Sequence, residues 1–557
     1  MMSIKALLLI QILLMILVIS GCRDRKPQDP DLSSIGLLRG DIALCGGEEF
    51  GEVKFSFSCV ESARKTFNLA VSLLHSFEYD EAEKAFVRVI ETDPECAMAY
   101  WGVAMSNFHS LWIQSGDTYL EKGSKILAAA PLPKSARERD YLEAIGAFYH
   151  DWQATDHRTR ILNFEMKMEQ LYQKYEDDTE AAIFYALSLT ASADPSDKTY
   201  RNQRRSGEIL EKIFREQPNH PGISHYIIHN YDYPELAPLA LATARRYAKI
   251  APASAHAQHM PSHIFTRLGI WEEAISSDSN STAAALCYAQ RVNPGSHWDE
   301  ELHGMDYLVY AYLQLGDNTN AIAQYEYLKT FGAIFPENFK VAYAAAAIPA
   351  RIVLENRNWR DAATLRPPAG LDIDWRKFPW QKAIIHFARA LGSIHLNHIA
   401  AAESELNSID SLHALLVDLD RVYEARQVEI QMTTIDAWME FQKGNTGEAL
   451  ALMLKAADIE QGTAKHPVTP GEVLPAGELL GDLYMRANRP LEALGAYEND
   501  LKLRPNRFNG LYGAAVAAKK AGDTSKARKY FQQLIEMTAP FQSDRAELVV
   551  ARAYLED

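Results

Sequence analysis

The chain has 557 residues, of which 57 are Lys or Arg and 73 are Asp or Glu, so its formal net charge is −16 at pH 7. This acidity makes nucleic acid an unsuitable partner, because phosphates require positive charge. The length and the 47% content of hydrophobic residues allow a large, well-buried body.

The N-terminus is typical of a targeting segment. An apolar run from Ala6 to Ile19 follows Lys5 and is shorter than the about 20 residues that a membrane-spanning helix needs. The run ends in Ile-Ser-Gly-Cys, which resembles the bacterial lipobox and implies cleavage before Cys22 and acylation of that cysteine. We therefore predict a lipoprotein signal peptide over residues 1–21; an ordinary secretory signal or an anchor helix is the alternative.

This resemblance implies a protein of the bacterial cell envelope, held at a membrane by its lipid alone. The sequence does not distinguish the inner from the outer membrane. Residues 22–50 predict a flexible tether, since charges, prolines and serines follow one another with little apolar periodicity.

Four cysteines remain after Cys22. An envelope protein can form disulfides, and Cys45 and Cys59 flank a short segment before the first predicted helix, so we predict a bond between these two. Cys96 and Cys287 fall in helical patterns and are expected to be small buried residues. The absence of CxxC argues against a thiolate zinc site or covalent haem.

From about residue 51 the chain predicts repeated helix pairs, most clearly near the C-terminus. Ala493 and Ala527 are 34 residues apart, as are Tyr497 and Phe531. A 34-residue period with a small residue, an aromatic, an alanine and a proline at fixed offsets resembles the tetratricopeptide repeat (TPR). The resemblance implies an all-α fold, a TPR-like right-handed superhelical solenoid of antiparallel helix pairs.

Over most of its length the chain resembles bacterial envelope TPR lipoproteins of poorly described function. The segments that carry this resemblance are Leu-Leu-His-Ser-Phe at 73–77, Ala-Met-Ala-Tyr-Trp-Gly at 97–102, His-Ser-Leu-Trp at 109–112, His-Tyr-Ile-Ile-His at 225–229, His-Met-Pro-Ser-His at 259–263 and His-Pro-Val-Thr-Pro-Gly at 466–471. We expect an N-terminal array at 51–366 with a histidine-lined groove and a C-terminal array at 371–557. The 466–471 segment predicts either a simple connector or a loop folded over the groove.

Two histidine pairs are the most informative motif. His225 and His229 are four residues apart, and His259 and His263 repeat the pair 34 residues later. Residues at i and i+4 share a helix face, so the pairs should lie on equivalent faces of neighbouring helices. The TPR resemblance places these faces in the concave groove and adds His303 and Asp306 from the next repeat.

We interpret these six residues as a candidate site for a divalent transition metal, such as zinc, iron, copper or manganese. One ion or a pair could be held, and His256 could be a further ligand or a supporting residue. Two other interpretations stay open: a polar groove that binds a peptide, an envelope protein or a glycan, and simple packing.

His75 and His109 are also one period apart and predict a possible second polar site. The chain has no P-loop, GxSxG elbow or HExxH motif. Whether it is an enzyme is therefore left open by the sequence, and an enzyme without these motifs would be metal-dependent.

Overall fold

A computed structural model describes residues 32–45, 50–111 and 115–556. The predicted signal peptide and Cys22 lie outside these ranges. Within them the chain is an all-α helical solenoid, as the sequence predicts. No helix in the described ranges is both long enough and apolar enough to span a bilayer.

The first twelve helices carry the region that contains the histidine pairs. They are α1 (Arg64–His75), α2 (Tyr79–Thr92), α3 (Ala97–Ser106), α4 (Asp117–Ala128), α5 (Ala136–Tyr149), α6 (His157–Lys174), α7 (Thr179–Ala191), α8 (Arg201–Phe214), α9 (Pro221–Asn230), α10 (Ala237–Ile250), α11 (Ala255–Leu268) and α12 (Trp271–Val292).

The remaining helices complete the solenoid. They are α13 (Asp299–Gln314), α14 (Asn318–Leu328), α15 (Phe339–Glu355), α16 (Trp359–Ala363), α17 (Pro379–His395), α18 (Ile399–Asp418), α19 (Val422–Gln442), α20 (Thr446–Gly462), α21 (Ala476–Arg486), α22 (Pro490–Leu503), α23 (Phe508–Ala521), α24 (Thr524–Thr538) and α25 (Ala546–Glu556). Two three-residue strands, β1 (Ser296–Trp298) and β2 (Ala333–Phe335), pair in parallel.

The repeated small and aromatic residues explain how neighbouring helices approach each other. A Cβ added at Gly481 on α21 would lie 2.6 Å from the ring of Tyr497 on α22. Gly102 on α3 meets the ring of Phe86 on α2 in the same way, at 2.3 Å. Glycine therefore lets an aromatic ring fill the space between two helices, and the motif recurs at both ends of the solenoid.

Helices that are far apart in the sequence contact each other in the solenoid. Helix α1 contacts α9, and α13 contacts α23. At the second contact, the indole Nε1 of Trp271 donates to the carbonyl of Asn506 at 2.8 Å, and the amide of Phe508 donates to Oε1 of Gln314 at 3.0 Å. The C-terminal helices thus close against the middle of the chain.

The connection between α20 and α21 contacts helices that are distant in the sequence. The guanidinium of Arg351 on α15 donates to the carbonyls of Gly471 at 2.7 Å and Glu472 at 2.8 Å. Nζ of Lys465 lies 3.5 Å from Oδ2 of Asp232, a residue that follows α9. The connection is therefore packed against the region that contains the histidines.

The described part of the predicted tether is bound to the helices. The amide of Leu38 donates to Oε1 of Glu83, and that of Ala43 donates to Oε2 of Glu81, both at 2.8 Å. Carboxylates on α2 thus hold residues that the sequence assigns to a flexible segment, because they supply acceptors for its backbone.

The predicted Cys45–Cys59 disulfide is wrong. Cys45 bonds to Cys287 on α12, and Cys59 bonds to Cys96 just before α3. The segment that carries Cys45 runs across α2 toward α12, whereas Cys59, which precedes α1, lies beside the α2–α3 turn that contains Cys96. Closeness in the sequence did not predict the disulfide pairing, because the packing of the intervening helices determines which cysteines meet.

Candidate metal centre

Three helices present the predicted histidines. Helix α11 packs against both α9 and α13, so the three lie side by side. Helix α11 begins after Ser254, whose hydroxyl accepts the amide of Ala257 at 3.0 Å. This cap places His256 in the first turn of α11, where its ring reaches back toward α9.

The first triad consists of His225, His229 and His256. Nε2 of His225 lies 2.8 Å from Nε2 of His229 and 3.0 Å from Nε2 of His256. Nδ1 of His225 donates to the carbonyl oxygen of His75 at 2.6 Å. A neutral imidazole carries one proton, so this bond leaves the Nε2 of His225 with a free lone pair that points at the other two rings.

The second triad consists of His259, His263 and His303. Nε2 of His259 lies 2.9 Å from Nε2 of His263, and the rings of His259 and His303 are 4.2 Å apart between centroids. In each triad, one ligand atom per residue can be chosen so that all three lie within 4.8 Å of one another.

Carboxylates hold the outer nitrogens of the second triad. Nδ1 of His259 contacts Oδ1 of Asp278 at 2.6 Å, and Nδ1 of His263 contacts Oδ2 of Asp232 at 3.0 Å. When both carboxyls are ionised, both rings are protonated on Nδ1, and two Nε2 lone pairs face each other. Either a cation between these nitrogens or a proton on the carboxyl of Asp278 removes the resulting repulsion, since a protonated Asp278 donates to Nδ1 of His259 and leaves its Nε2–H to donate to His263.

The distances between these nitrogens can be compared with those of ligands that share one ion. Two imidazole nitrogens at about 2.0–2.1 Å from a tetrahedral zinc ion are about 3.3–3.4 Å apart. The contacts of 2.8, 2.9 and 3.0 Å between the Nε2 atoms are shorter than that value, so the rings would move apart by a few tenths of an ångström around such an ion. The nitrogens of each triad are close enough together to hold one ion after that adjustment.

The triads are neighbours. The rings of His229 and His263 are 6.1 Å apart between centroids, and those of His256 and His259 are 6.4 Å apart. Two ions held here would therefore occupy adjacent sites.

Burial keeps these imidazoles neutral. It lowers the pKa of His259 and His263 to about 4 and the pKa of His225, His229 and His303 well below the usual range. None of these five side chains is more than 7% exposed, whereas His256 is half-buried. Neutral imidazole is the form that binds metal.

The carboxyls of Asp232 and Asp278 differ in the direction in which their pKa is shifted. Burial alone would raise the pKa of Asp232, but Lys465 and Arg267 outweigh it and hold that pKa well below its usual range. Burial raises the pKa of Asp278 well above its usual range, since Ser262 but no cation is among its described partners. An ion bound to His259 would supply the positive charge that Asp278 lacks.

A third group of potential ligands, the buried network, consists of His75, Glu180 and His220. Glu180 accepts hydrogen bonds from Nε2 of His75 and Nε2 of His220, both at 2.9 Å. The hydroxyl of Tyr226 donates to Nδ1 of His75 at 2.9 Å. The carboxylate lies between two donors and needs no metal to offset its charge, whereas Nδ1 of His220 is buried without a hydrogen-bond partner.

Two predicted site residues are placed elsewhere. Oδ1 of Asp306 accepts from Nε of Arg351 at 3.1 Å, so Asp306 is a partner of a buried arginine rather than of the histidines. The ring of His109 packs between Tyr79 and Tyr119, and His75 pairs with Glu180 and not with His109. His109 leaves the register because α3 ends at Ser106, three residues before it.

The sequence did not predict the two carboxyls that contact the histidines of the second triad, nor Glu180 and His220 of the buried network. Asp232 follows α9 by two residues, and Asp278 lies on α12 rather than on a groove-facing helix. The position of Asp232, three residues after His229, is a local signal that could have suggested it. Nothing local distinguishes Asp278, Glu180 or His220 from other polar residues.

Comparison with known families gives one match. A family model described as Tetratricopeptide repeat covers residues 510–537, which lie on α23 and α24. The chain contains a tetratricopeptide repeat. Comparison with curated proteins gives no match. Repeats of this kind stack into extended concave surfaces that serve as scaffolds for protein interaction.

Proposed function

We propose that this TPR-containing chain is a metalloprotein that holds two transition-metal ions side by side, one in each histidine triad. The observation that carries the proposal is the contact between Nε2 of His259 and Nε2 of His263, with a carboxyl on each outer nitrogen. In known metal sites, ligating histidines donate their other N–H to a carboxylate or carbonyl in this manner.

The donor set narrows the choice of metal. Each triad offers three imidazole nitrogens, a set that suits zinc, copper or iron better than manganese, which favours carboxylate and water. Three protein ligands leave a coordination position for an exogenous ligand, where a bound ion would supply Lewis-acid or redox chemistry. A metal-dependent enzymatic activity is compatible with this arrangement.

We propose further that the lipobox-like segment anchors the protein in the bacterial envelope through Cys22. The TPR match favours an additional role as a scaffold for a peptide or envelope protein. The histidines of both triads are buried, which disfavours direct contact between them and a protein partner. We therefore propose that such a partner binds another surface of the solenoid.

The test is metal content. The full-length chain, produced without a histidine tag in medium containing zinc, iron, copper and manganese, is expected to contain about two ions per chain. His229→Ala and His263→Ala should each lose one ion, and the double variant should lose both. The exposed His398→Ala is the matched control and should retain both.

A folded wild-type protein that binds none of the four metals would contradict the proposal. Circular dichroism of each variant distinguishes loss of metal from loss of fold.

A further inference from the structure

We infer that a cavity beside Arg267 and Tyr310 binds an amino acid or a dipeptide, with the carboxylate at the inner end and the ammonium group at the mouth. The cavity opens to solvent and has a volume of about 150 Å³, several times the roughly 30 Å³ that a water molecule takes in the liquid. No residue of either histidine triad lines it. The inference therefore does not depend on bound metal and goes beyond the proposed function.

Segments that are far apart in the sequence form the cavity. The α7–α8, α9–α10 and α20–α21 connections meet there, together with Arg267 on α11, Tyr310 on α13 and Arg504 directly after α22. The cavity therefore depends on the whole fold and is not a gap between two neighbouring helices. Polar groups from several elements converge on its wall, as they do in ligand sites.

The hydroxyl of Tyr310 is a donor without an acceptor. It accepts a hydrogen bond from Nη1 of Arg507 at 3.0 Å, and its own proton has no acceptor within the described ranges. A Cβ added at Gly471, which also lines the cavity, would lie 3.9 Å from this oxygen, so the hydroxyl lies at the cavity wall. Tyr310 is only 3% exposed, and buried donors are normally paired, so this one points to a bound acceptor.

Arg267 and Tyr233 supply further donors. Nε and Nη2 of Arg267 donate to Oδ1 and to the carbonyl oxygen of Asp232, both at 2.8 Å, whereas Nη1 has no partner among the residues that the structure describes. The hydroxyl of Tyr233 accepts from Nε2 of Gln203 at 3.3 Å and, like that of Tyr310, retains its proton for a ligand. A carboxylate offers acceptors alone and suits such a set of donors.

Charge at the inner end favours the same assignment. Arg267 and Lys465 share the single carboxylate of Asp232. Burial lowers the pKa of Lys465, but only to about 8, so this side chain is charged at pH 7. Burial alone would raise the pKa of Asp232, but the two cations outweigh it and keep the carboxyl ionised. Two positive charges against one negative charge leave this group positive, which favours an anionic ligand.

The acidic residues of the cavity differ in their partners. Arg504 binds Glu460 at 3.0 Å and Glu472 at 2.8 Å. Asp194 and Asp197, by contrast, accept hydrogen bonds from groups nearby in the sequence and form no ion pair in the described part of the chain. Asp194 is exposed, and these hydrogen bonds lower the pKa of both carboxyls, so the mouth offers two negative charges to an ammonium group.

Calorimetry with alanylalanine tests the site. The full-length protein should bind one molecule per chain. The C-terminal amide of the dipeptide should bind at least about tenfold more weakly, because the buried donors lose a charged acceptor. The N-acetyl derivative should bind about three- to fivefold more weakly, because the charges at the mouth are exposed to solvent and screened.

Two variants test the inner end. Arg267→Lys keeps the positive charge beside Asp232 and removes the free nitrogen, and Tyr233→Phe removes one hydroxyl. Each should weaken the binding of alanylalanine about tenfold. The ring of Tyr172 stacks on that of Tyr185 outside the cavity, so Tyr172→Phe is the matched control and should leave binding unchanged. Tyr233→Phe keeps the test valid if Arg267→Lys alters the fold.

A double variant, Asp194→Asn with Asp197→Asn, tests the mouth. Asparagine keeps an oxygen for the hydrogen bonds of the turn and removes the charge. The affinity for alanylalanine should fall about three- to fivefold, and the affinity for the N-acetyl derivative should not fall. Asp177→Asn, at an exposed position between α6 and α7, is the control and should change neither affinity.

Three outcomes would overturn the inference in protein that circular dichroism shows to be folded. They are no binding of alanylalanine at up to about 10 mM, equal affinity for either derivative, and unchanged affinity in both Arg267→Lys and Tyr233→Phe. None of them bears on metal content, so the proposed metal sites are tested separately.

Discussion

The second triad and the buried network contain the same kinds of residue but differ in how their protons are arranged. In the network, the carboxylate of Glu180 lies between His75 and His220 and accepts a hydrogen bond from each. In the second triad, the carboxyls lie outside the rings and the imidazole nitrogens face each other. Clustering of ligand-type residues alone therefore does not identify a metal site; the position of the hydrogen-bond acceptors does.

Removal of the metal should give the largest difference between the second triad and the buried network, because only the triad is proposed to hold an ion. An ion present at 1,000 times its dissociation constant stabilises the folded state by about 4 kcal/mol. Treatment with EDTA should therefore lower the unfolding temperature of the wild-type protein markedly. The His229→Ala/His263→Ala variant should not respond to EDTA. An equal response in both would show that the stabilising ion is not held by the triads.

Substitution of the network carboxylate should have the next largest effect. Glu180→Ala leaves two buried imidazoles without their acceptor, which should cost about 3–5 kcal/mol. Native-state hydrogen exchange in α7 and α9 measures the loss locally. Metal content per folded chain should stay at the wild-type value. The exposed Glu176→Ala is the control, with an expected change within about 0.5 kcal/mol. A proportional loss of metal in Glu180→Ala would mean that the network is itself a metal site.

The network should also have a characteristic pH dependence. Burial alone would raise the pKa of Glu180, but His220 and His75 outweigh it and hold that pKa well below its usual range. An unfolded glutamate titrates near about 4.3. The stability supplied by the ionised carboxylate is therefore fully present above that pH and is lost as the pH falls below it.

Comparison with Glu180→Gln isolates this contribution. The difference in hydrogen-exchange stability between the wild-type protein and the variant should be constant above about pH 5 and should shrink toward pH 3. A difference that grows on acidification would contradict the ionised state assigned to Glu180.

The smallest expected effect concerns the hydroxyl of Tyr226. Tyr226→Phe removes the hydrogen bond to Nδ1 of His75 and should cost about 0.5–1.5 kcal/mol. Metal content should not change, because the backbone carbonyl of His75 still accepts from His225. A loss of metal would show that the network and the first triad are more tightly coupled than their hydrogen bonds indicate.

The sequence predicted the parts of this site that depend on helical periodicity. The i, i+4 spacing and the 34-residue period were sufficient to bring His225, His229, His259 and His263 to neighbouring helices, and the next repeat brought His303. The same periodicity wrongly predicted that Asp306 joins the histidines, because Arg351, 45 residues away, binds its carboxylate. A period predicts which face a residue occupies but not which partner binds it there.

Contacts between distant segments could not be predicted in this way. The disulfide pairing depends on how the N-terminal segment crosses α2, and the role of Asp278 depends on the packing of α12 behind α11. The first depends on the path of the N-terminal segment over the helices, and the second on which side chains meet inside one helix pair. Periodic spacing contains no information about either, because it fixes the face of a helix and not the individual contacts made there.

The Cys45–Cys287 disulfide joins residues separated by 242 positions and so closes a covalent ring within the chain. Five of the six proposed metal ligands lie inside that ring, and only His303 lies beyond it. A single cut by a protease between Cys45 and Cys287 would leave both fragments joined. The proposed metal ligands inside the ring would therefore stay covalently linked after a single cut in an exposed loop of this region.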